Sequence, residues 1–363
     1  MHTMRSVLRT SLMSATCVLA GVLVAPSGAP RAATFPNLYQ VTVEADAPGA
    51  DQRAEASRLA MAQLLVRVTG RRDAAVDPAL AELIGQPDPY VNSYARDFEG
   101  RAVVGFAPTL VERALDSLNW PVWGPERPLT LLWVAVDNGL GERALLGANA
   151  GTDGTSPEMT MLTTALKEEA DAVALERGLP IAFPLLDLED LNAVTFTDVW
   201  GNFEEPIEHA SARYRPDAIM IARVRPGLFG NEIQCLLLHG GVRRSITGAG
   251  LRDCLDTVGD SYGAEYSVVG GAAAMRITVL DVESLGDYGR VVSYLEQLSV
   301  LQSVDVESLD AGVLTLRVAA RGDTQVLERV LTLGGVLRPA PSGPSSLPAA
   351  GLVFTVARAD EAR

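Results

Sequence analysis

The segment Asn119-Trp120-Pro121-Val122-Trp123-Gly124-Pro125-Glu126-Arg127-Pro128, followed by the apolar run Leu129 to Val136, divides the chain. Proline cannot continue a helix and lacks the N–H group that a sheet needs, so the proline-dense part predicts a domain boundary. The uncharged run behind it is typical of a strand buried on both faces of a parallel sheet. Working outward from this point, we predict one domain before the boundary and two after it.

Residues 35–124 predict an N-terminal α+β domain with an antiparallel sheet. Val41 and Val43 alternate with polar residues, which indicates a half-buried strand, and an amphipathic helix from Ala54 ends before Gly70. The other predicted elements are short helices at Pro78–Ile84 and Pro89–Tyr94, a strand at Arg101–Phe106, and a helix at Thr109–Leu118 capped by Thr109 with Glu112.

Residues 127–268 predict a central α/β domain. Ser156 and Pro157 mark the start of a helix that ends before Gly178. The order strand, helix, strand, helix, strand implies a parallel sheet with right-handed crossovers. The further predicted elements are strands at Ile181–Leu185 and Ala218–Val224, a helix at Phe203–Tyr214, a hairpin formed by Glu232–His239 and Arg243–Thr247, and a closing helix at Leu251–Tyr262.

Residues 272–358 predict a ferredoxin-like domain with the order βαββαβ. Ser284 with Asp287 and, further on, Asp323 mark the two helix starts. The last strand is either Val336–Arg338 or Leu352–Val356. Together, the blocks predict an α+β protein of three small domains, of which the central one is α/β and the last is ferredoxin-like.

Residues 1–33 predict a signal peptide. Arg5 and Arg9 precede the uncharged run from Leu12 to Ala25, and proline, glycine and alanine follow. The run is shorter than the roughly 20 apolar residues that span a bilayer. Cys17 leaves a lipoprotein as the alternative, although Ser14-Ala15-Thr16 before it lacks the leucine-then-small pattern of such proteins. No later segment predicts a membrane helix, so we expect a mature chain in the periplasm.

Composition and charge argue against several partners. The 363 residues are 48% hydrophobic and carry a formal net charge of −15. Nucleic acids and anionic lipids bind proteins through neutralisation of phosphate by Lys and Arg, so neither is an expected partner. No complete phosphate-binding loop is present, so no nucleotide or other cofactor is expected.

One motif suggests a hydrolase. Gly259-Asp260-Ser261-Tyr262-Gly263 matches the G-x-S-x-G nucleophile elbow, which requires a strand before the serine and a histidine after it. The preceding residues predict a helix, and no histidine follows Ser261. The expected mature chain has two histidines, His209 and His239, too few for a typical zinc site. We therefore predict neither catalytic residues nor an enzyme.

Acidic residues follow the predicted strand Ile181–Leu185 at an edge where α/β domains often bind ligands. Oxygen atoms of Asp187, Glu189, Asp190 and Asp198 are the type of ligand that calcium or magnesium takes, which makes them metal candidates. The alternative, which we prefer, is that these carboxylates cap helices in a solvated loop.

Two further sets of residues are structural candidates. Cys235 and Cys254 are the cysteines left after the predicted leader, so they form either a disulfide or two buried thiols. Three tryptophans, Trp120, Trp123 and Trp133, lie at or near the first boundary. Tryptophans beside prolines favour a wedge at a domain interface over a sugar-stacking surface.

Several segments resemble a proteobacterial exported family that is classed as a domain of unknown function, number two thousand and sixty-six. The resemblance covers nearly all of the expected mature chain, and its segments are LYQVTV (38–43), LVRVTG (65–70), PVWGPERP (121–128), LLDLEDL (185–191) and DVWG (198–201). It implies a signal peptide and a Gram-negative envelope location. In element order, the first two blocks are similar to domains of a flagellar outer-ring protein, and the middle block to a domain of the periplasmic Tol-system propeller protein. These likenesses imply protein docking by analogy of fold.

The leading hypothesis is therefore a non-enzymatic periplasmic module that docks unidentified envelope proteins. The alternative is a periplasmic protein that binds a small ligand or a divalent cation at the edge between Asp187 and Asp198. An unrecognised hydrolase is the third hypothesis.

Overall fold

The computed structural model describes residues 35–44, 50–149, 155–227, 230–340 and 351–358. The predicted signal peptide lies outside these residues. The α+β architecture is confirmed, with three sheets and helices packed against them. No helix in the described part of the chain has both the length and the apolar character needed to cross a membrane.

The N-terminal domain packs its helices on a three-stranded antiparallel sheet of order β1-β3-β2. The first helix buries one face, including Met61, Leu64 and Val68, against the sheet. In chain order, the elements are β1 (Gln40–Val43), α1 (Ala50–Thr69), α2 (Ala81–Gly85), β2 (Val91–Arg96), β3 (Ala102–Phe106) and α3 (Pro108–Ser117).

Two local predictions for this domain were wrong. The predicted helix Pro89–Tyr94 is a single 3-10 turn at Asp88–Tyr90 followed by strand β2, because the backbone from Val91 onward pairs with β3. Thr109 does not cap α3, because Pro108 already occupies the first turn and Ala107 takes the cap position. Glu112 is thereby free of the cap and accepts a 2.6 Å hydrogen bond from the Tyr39 hydroxyl.

The middle domain has a mixed sheet of order β5-β4-β7-β8-β9, with β6 beside the start of β4. Its elements are β4 (Thr130–Asp137), β5 (Arg143–Leu146), α4 (Pro157–Arg177), β6 (Ile181–Ala182), α5 (Leu188–Ala193), α6 (Phe196–Gly201), α7 (Glu204–Ser211), β7 (Ala218–Gly227), β8 (Gly230–His239), β9 (Val242–Gly248) and α8 (Leu251–Tyr266). As predicted, β4 is buried on both faces. One layer of helices, α4 and α8, covers one face of the sheet, and α5 to α7 cover the other.

The prediction of a parallel sheet holds for the centre of this domain, where β4 runs parallel to β6 and β7. The predicted strand Ile181–Leu185 is shorter than expected. β6 pairs only with Thr130 and Leu131, and from Val134 onward the same edge of β4 is occupied by the antiparallel strand β5. Strand β5, which is four residues long, and the short helices α5 and α6 were not predicted from the sequence.

The C-terminal domain has a five-stranded sheet of order β11-β12-β10-β14-β13. Its elements are β10 (Ala272–Leu280), α9 (Leu285–Glu296), β11 (Leu301–Asp310), β12 (Val313–Arg321), α10 (Thr324–Thr332), β13 (Leu337–Pro339) and β14 (Leu352–Val356). The predicted capping box of Ser284 and Asp287 is confirmed. The prediction of a single last strand was wrong, since both candidates form strands: β14 pairs with β10 in parallel, and β13 adds to its outer edge.

The proline-dense segment 119–128 contacts all three domains. Trp123 donates its backbone N–H to the Val68 carbonyl at 2.6 Å, and Val122 forms an antiparallel bridge with Val268. Glu126 accepts hydrogen bonds from the backbone N–H and hydroxyl of Ser299. The segment therefore forms hydrogen bonds with all three domains.

Buried arginines reinforce this junction. Arg127 is fully buried and donates hydrogen bonds to five backbone carbonyls, while its guanidinium lies 3.9 Å from the centroid of the Trp123 ring. Arg177 pairs with Asp256 and Asp260 of α8 and donates to the Gly70 carbonyl. The N-terminal and middle domains are thus held in one relative position.

Candidate functional site

The acidic residues after β6 organise a turn and a short helix. Asp187 caps α5 by accepting from the backbone N–H groups of Glu189 and Asp190, and it binds the guanidinium of Arg213 with both oxygens at 2.8 Å. The hydrogen bond from Arg213 is the largest cause that lowers the pKa of Asp187, to about 2. This carboxylate is therefore ionised and already paired at neutral pH.

Asp190 is buried and holds the turn before α5 in place. One of its oxygens accepts from the Leu186 N–H at 2.9 Å and from the Tyr214 hydroxyl at 2.5 Å, and the other accepts from Arg213 at 3.1 Å. The Tyr214 hydroxyl also accepts from the Leu185 N–H. Leu186 takes a left-handed backbone, with φ of 53°, which is strained for a leucine and is maintained by these bonds.

Asp198 lies on a different helix from the other acidic candidates. It forms a capping box with Thr195 at the start of α6. The structure thus gathers Asp187, Glu189 and Asp190 around Arg213 and leaves Asp198 apart, in the capping arrangement that the sequence analysis preferred. Within the described ranges, no group of three or more histidine, cysteine or carboxylate side chains is placed to hold a metal ion.

The turn and α5 present leucines to solvent. The exposed fractions of Leu185, Leu188 and Leu191 are 48%, 80% and 52%, and we call these three residues the leucine patch. Leu188 and Leu191 are three residues apart on α5, so they share one face of that helix. Because the carboxylates and Tyr214 fix the turn from beneath, the leucines are displayed by a rigid support.

The layer of helices that carries the leucine patch is rich in acidic side chains. Residues 185–215 contain seven carboxylates and two arginines. Asp187, Asp190 and the 71% exposed Glu189 share Arg213, and Glu205 and Glu208 are exposed on α7. The layer therefore combines an exposed apolar patch with an excess of negative charge.

His239 lies at the centre of a second polar cluster, at the end of β8. Its Nδ1 lies 3.1 Å from the Asp217 carbonyl oxygen, and its Nε2 lies 3.0 Å from the Tyr266 hydroxyl and 3.5 Å from a Glu265 carboxylate oxygen. Both ring nitrogens are thus engaged, and the imidazole fastens β8 to the end of α8. A groove of about 490 Å³ beside it is also lined by Glu204 and Arg243, which form an ion pair.

The charge of His239 depends on its neighbours. Burial lowers its pKa, but the Glu265 carboxylate and the Asp217 carbonyl outweigh that effect, so the pKa lies above the usual 6.5. The same contact lowers the pKa of Glu265. Burial is the main cause that raises the pKa of the Asp217 carboxyl. The cluster is therefore a pH-sensitive contact between strand β8 and helix α8.

The structure joins Cys235 of β8 to Cys254 of α8 in a disulfide with an S–S distance of 2.15 Å. The bond staples the strand to the helix that covers it, which is the first of the two alternatives left open by the sequence.

The three tryptophans do not form one cluster. Trp120 belongs to the core of the N-terminal domain, Trp123 to the core shared by the middle and C-terminal domains, and Trp133 to the opposite face of the middle sheet. Trp133 donates its indole N–H to the Ser211 hydroxyl inside that domain. The wedge interpretation therefore fits Trp123 at the junction but not Trp133.

The G-x-S-x-G motif lies inside α8, so the strand-to-helix elbow is absent there. The predicted helix Leu251–Tyr262 is present and continues to Tyr266, so the motif's glycines lie inside it. A Cβ atom at Gly259 would lie 2.8 Å from an Arg177 nitrogen, and one at Gly263 would lie 2.8 Å from the Gly70 Cα. The two glycines allow α8 to approach α4 and the N-terminal domain closely.

Comparison with known families gives one match. Residues 32–124 match the model of a domain of unknown function, DUF8605. The matched stretch ends at Gly124, within the junction segment, and so covers the N-terminal domain. No curated protein and no solved structure shows significant similarity to the chain. The resemblance to the exported family numbered two thousand and sixty-six stays a prediction.

The leucine patch is the feature that sequence reasoning missed. The signal was the repeat of leucine every third residue at 185, 188 and 191, interrupted by carboxylates. We assigned the carboxylates to a metal or to helix caps, placed Leu185 at the end of a strand, and gave Leu188 and Leu191 no role. In the structure β6 ends at Ala182 and Leu188 and Leu191 lie on α5.

Proposed function

We propose that this protein is a non-enzymatic, exported docking module of the bacterial envelope. The observation that carries the proposal is the leucine patch. Large apolar side chains that stay exposed next to one another on a rigid support are typical of protein-binding surfaces. Asp187 and Asp190 accept seven hydrogen bonds around one short turn, which gives that surface a fixed shape.

Export is supported by one observation on the sequence and one on the structure. The N-terminal sequence has the charged, apolar and small-residue regions of a signal peptide. The disulfide between Cys235 and Cys254 is of a kind that persists in oxidising compartments and is rare in the cytosol. The periplasm is an oxidising compartment that exported proteins reach, and we propose it as the location.

The junction supports docking by a preorganised surface. Arg127 and Arg177 connect the N-terminal and middle domains through buried hydrogen bonds, and Glu126 connects the C-terminal domain. Binding to a surface whose domains already hold their positions avoids an entropic cost of ordering. The three domains are thus suited to present the patch in a constant orientation.

The test is site-specific photo-crosslinking in the cells that produce the protein. A photoreactive amino acid at position 188 should form covalent adducts with a specific envelope protein. The matched control is position 285, since Leu285 is 85% exposed but lies on α9 of the C-terminal domain. Adducts at 185, 188 and 191 that do not exceed those at 285 would refute docking through the patch.

A further inference from the structure

The leucine patch and its surroundings have a chemistry that selects among protein partners. We infer that the patch binds a basic amphipathic helix, meaning a helix with one apolar face bordered by Lys and Arg. This inference rests on the proposed docking function and specifies the partner. It follows from the spacing of the leucines and from the charge around them.

The spacing favours a helical partner. Leu188 and Leu191 form a short ridge at i and i+3 on α5, and such ridges pack between the side chains of a second helix. Amphipathic helices are commonly recognised through apolar anchors three or four residues apart. Leu185, in the turn three residues before α5, is a further exposed leucine that a partner can contact.

The charge favours a basic partner. Arg213 is held by Asp187 and Asp190, so its positive charge is neutralised within the support. Glu189, which is 71% exposed, lies 3.5 Å from the same guanidinium, so three carboxylates share one cation. Glu205 and Glu208 on α7 face solvent, and the layer keeps an excess of negative charge that attracts Lys and Arg. An acidic partner or an anionic bilayer meets electrostatic repulsion here.

The experiment uses the full mature chain and two synthetic helical peptides of about 18 residues. Both peptides have the same leucine face, but one carries Lys and the other Glu beside it. Fluorescence anisotropy should show saturable binding of the Lys peptide alone. The affinity should fall several-fold between about 0.05 and about 0.5 M salt, because exposed charges are screened.

Matched variants locate the binding. Leu188→Asp should lower the affinity for the Lys peptide about tenfold, as expected for the loss of an apolar anchor, whereas Leu285→Asp should leave that affinity unchanged. The double variant Glu205→Lys/Glu208→Lys should weaken it several-fold, with exposed Glu296→Lys as the control. All four variants change exposed side chains, and circular dichroism together with the melting temperature verifies that each one folds.

The outcomes distinguish a wrong partner class from a wrong docking function. If the Glu peptide binds as well as the Lys peptide, or if Leu285→Asp and Leu188→Asp have equal effects, the inference is overturned. If photo-crosslinking at position 188 succeeds while the Lys peptide fails to bind, the docking function is supported and the basic helix is refuted as the partner. If vesicles of phosphatidylglycerol bind through Leu188 in place of the peptide, the partner is a membrane and the inference also falls.

Discussion

Replacement of Arg127 by methionine should uncouple the junction of the domains. The guanidinium is fully buried. Its five hydrogen bonds, each between 2.8 and 3.0 Å, end on the carbonyls of Gly124, Arg177, Gly178, Arg67 and Trp123. Methionine fills a similar volume but donates none of them. All five carbonyl groups therefore lose a partner in an interior from which water is excluded.

The magnitude follows from two opposing effects. Five lost bonds at about 1 kcal/mol net each would cost about 5 kcal/mol. Part of this loss of stability is offset, because the variant no longer buries a cation. Burial strongly lowers the pKa of Arg127 and so disfavours its charged form. We expect the free energy of unfolding to fall by about 3 to 5 kcal/mol, a large share of the stability of a typical domain.

The assay is urea unfolding of the mature chain, followed by circular dichroism and tryptophan fluorescence. Arg225→Met is the control, since Arg225 pairs with Glu232 on the surface and should cost less than about 1 kcal/mol. Arg127→Lys keeps the charge but lacks the planar fork, so it should not restore stability. A loss below about 1 kcal/mol for Arg127→Met, or full rescue by lysine, would refute the reasoning.

Three further predictions concern packing, pH and the disulfide. Gly263→Ala should destabilise the protein by about 1 to 3 kcal/mol, because the added Cβ would press on the backbone of the N-terminal domain. The control is Gly289→Ala on α9, where no atom lies within contact distance, and it should stabilise the protein by up to about 1 kcal/mol. Equal effects of the two variants on the free energy of unfolding in urea would contradict this prediction. Because the folded pKa of His239 is raised, its contribution to stability is complete below pH 6.5 and is lost as the pH rises through the folded value. The difference in unfolding free energy between wild type and His239→Gln should therefore shrink from about pH 6 to about pH 8.5. A difference that grows over this range would contradict the prediction. Replacement of Cys235 and Cys254 by alanine should cost about 3 kcal/mol, since their separation of 19 residues sets the loop closed in the unfolded chain, and the oxidised mature protein should show no free thiol on denaturation.

Elements with a strong local signature could be predicted from the sequence. Strand β4 is apolar throughout and is buried as expected. The helix that begins after Ser156 and ends at Gly178 has a side-chain cap at one end and a left-handed glycine at the other. In both cases, the residues that determine the element lie within it or directly beside it, so local physical chemistry is sufficient.

Short elements could not be predicted because distant partners decide them. Strand β2 forms where Val91 to Arg96 pair with β3, although Asp88 and Pro89 favour a helix start. Strand β6 pairs only with Thr130 and Leu131 and ends at Ala182, and β5 pairs with the same edge of β4 from Val134 onward. Neither this short pairing nor the exposure of Leu185 and Leu188 has a local signature in the sequence.

The G-x-S-x-G motif shows how one spacing can serve two structures. Glycines four residues apart surround the nucleophile in an elbow, but they also lie one turn apart on the same face of a helix. In α8, Gly259 makes room for Arg177, and Gly263 makes room for Gly70 at the end of α1. Both contacts belong to the junction that also contains Arg127. The motif's glycines therefore serve close packing at the junction. The helical periodicity from Leu251 onward is the sequence feature that distinguishes this packing role from a catalytic one.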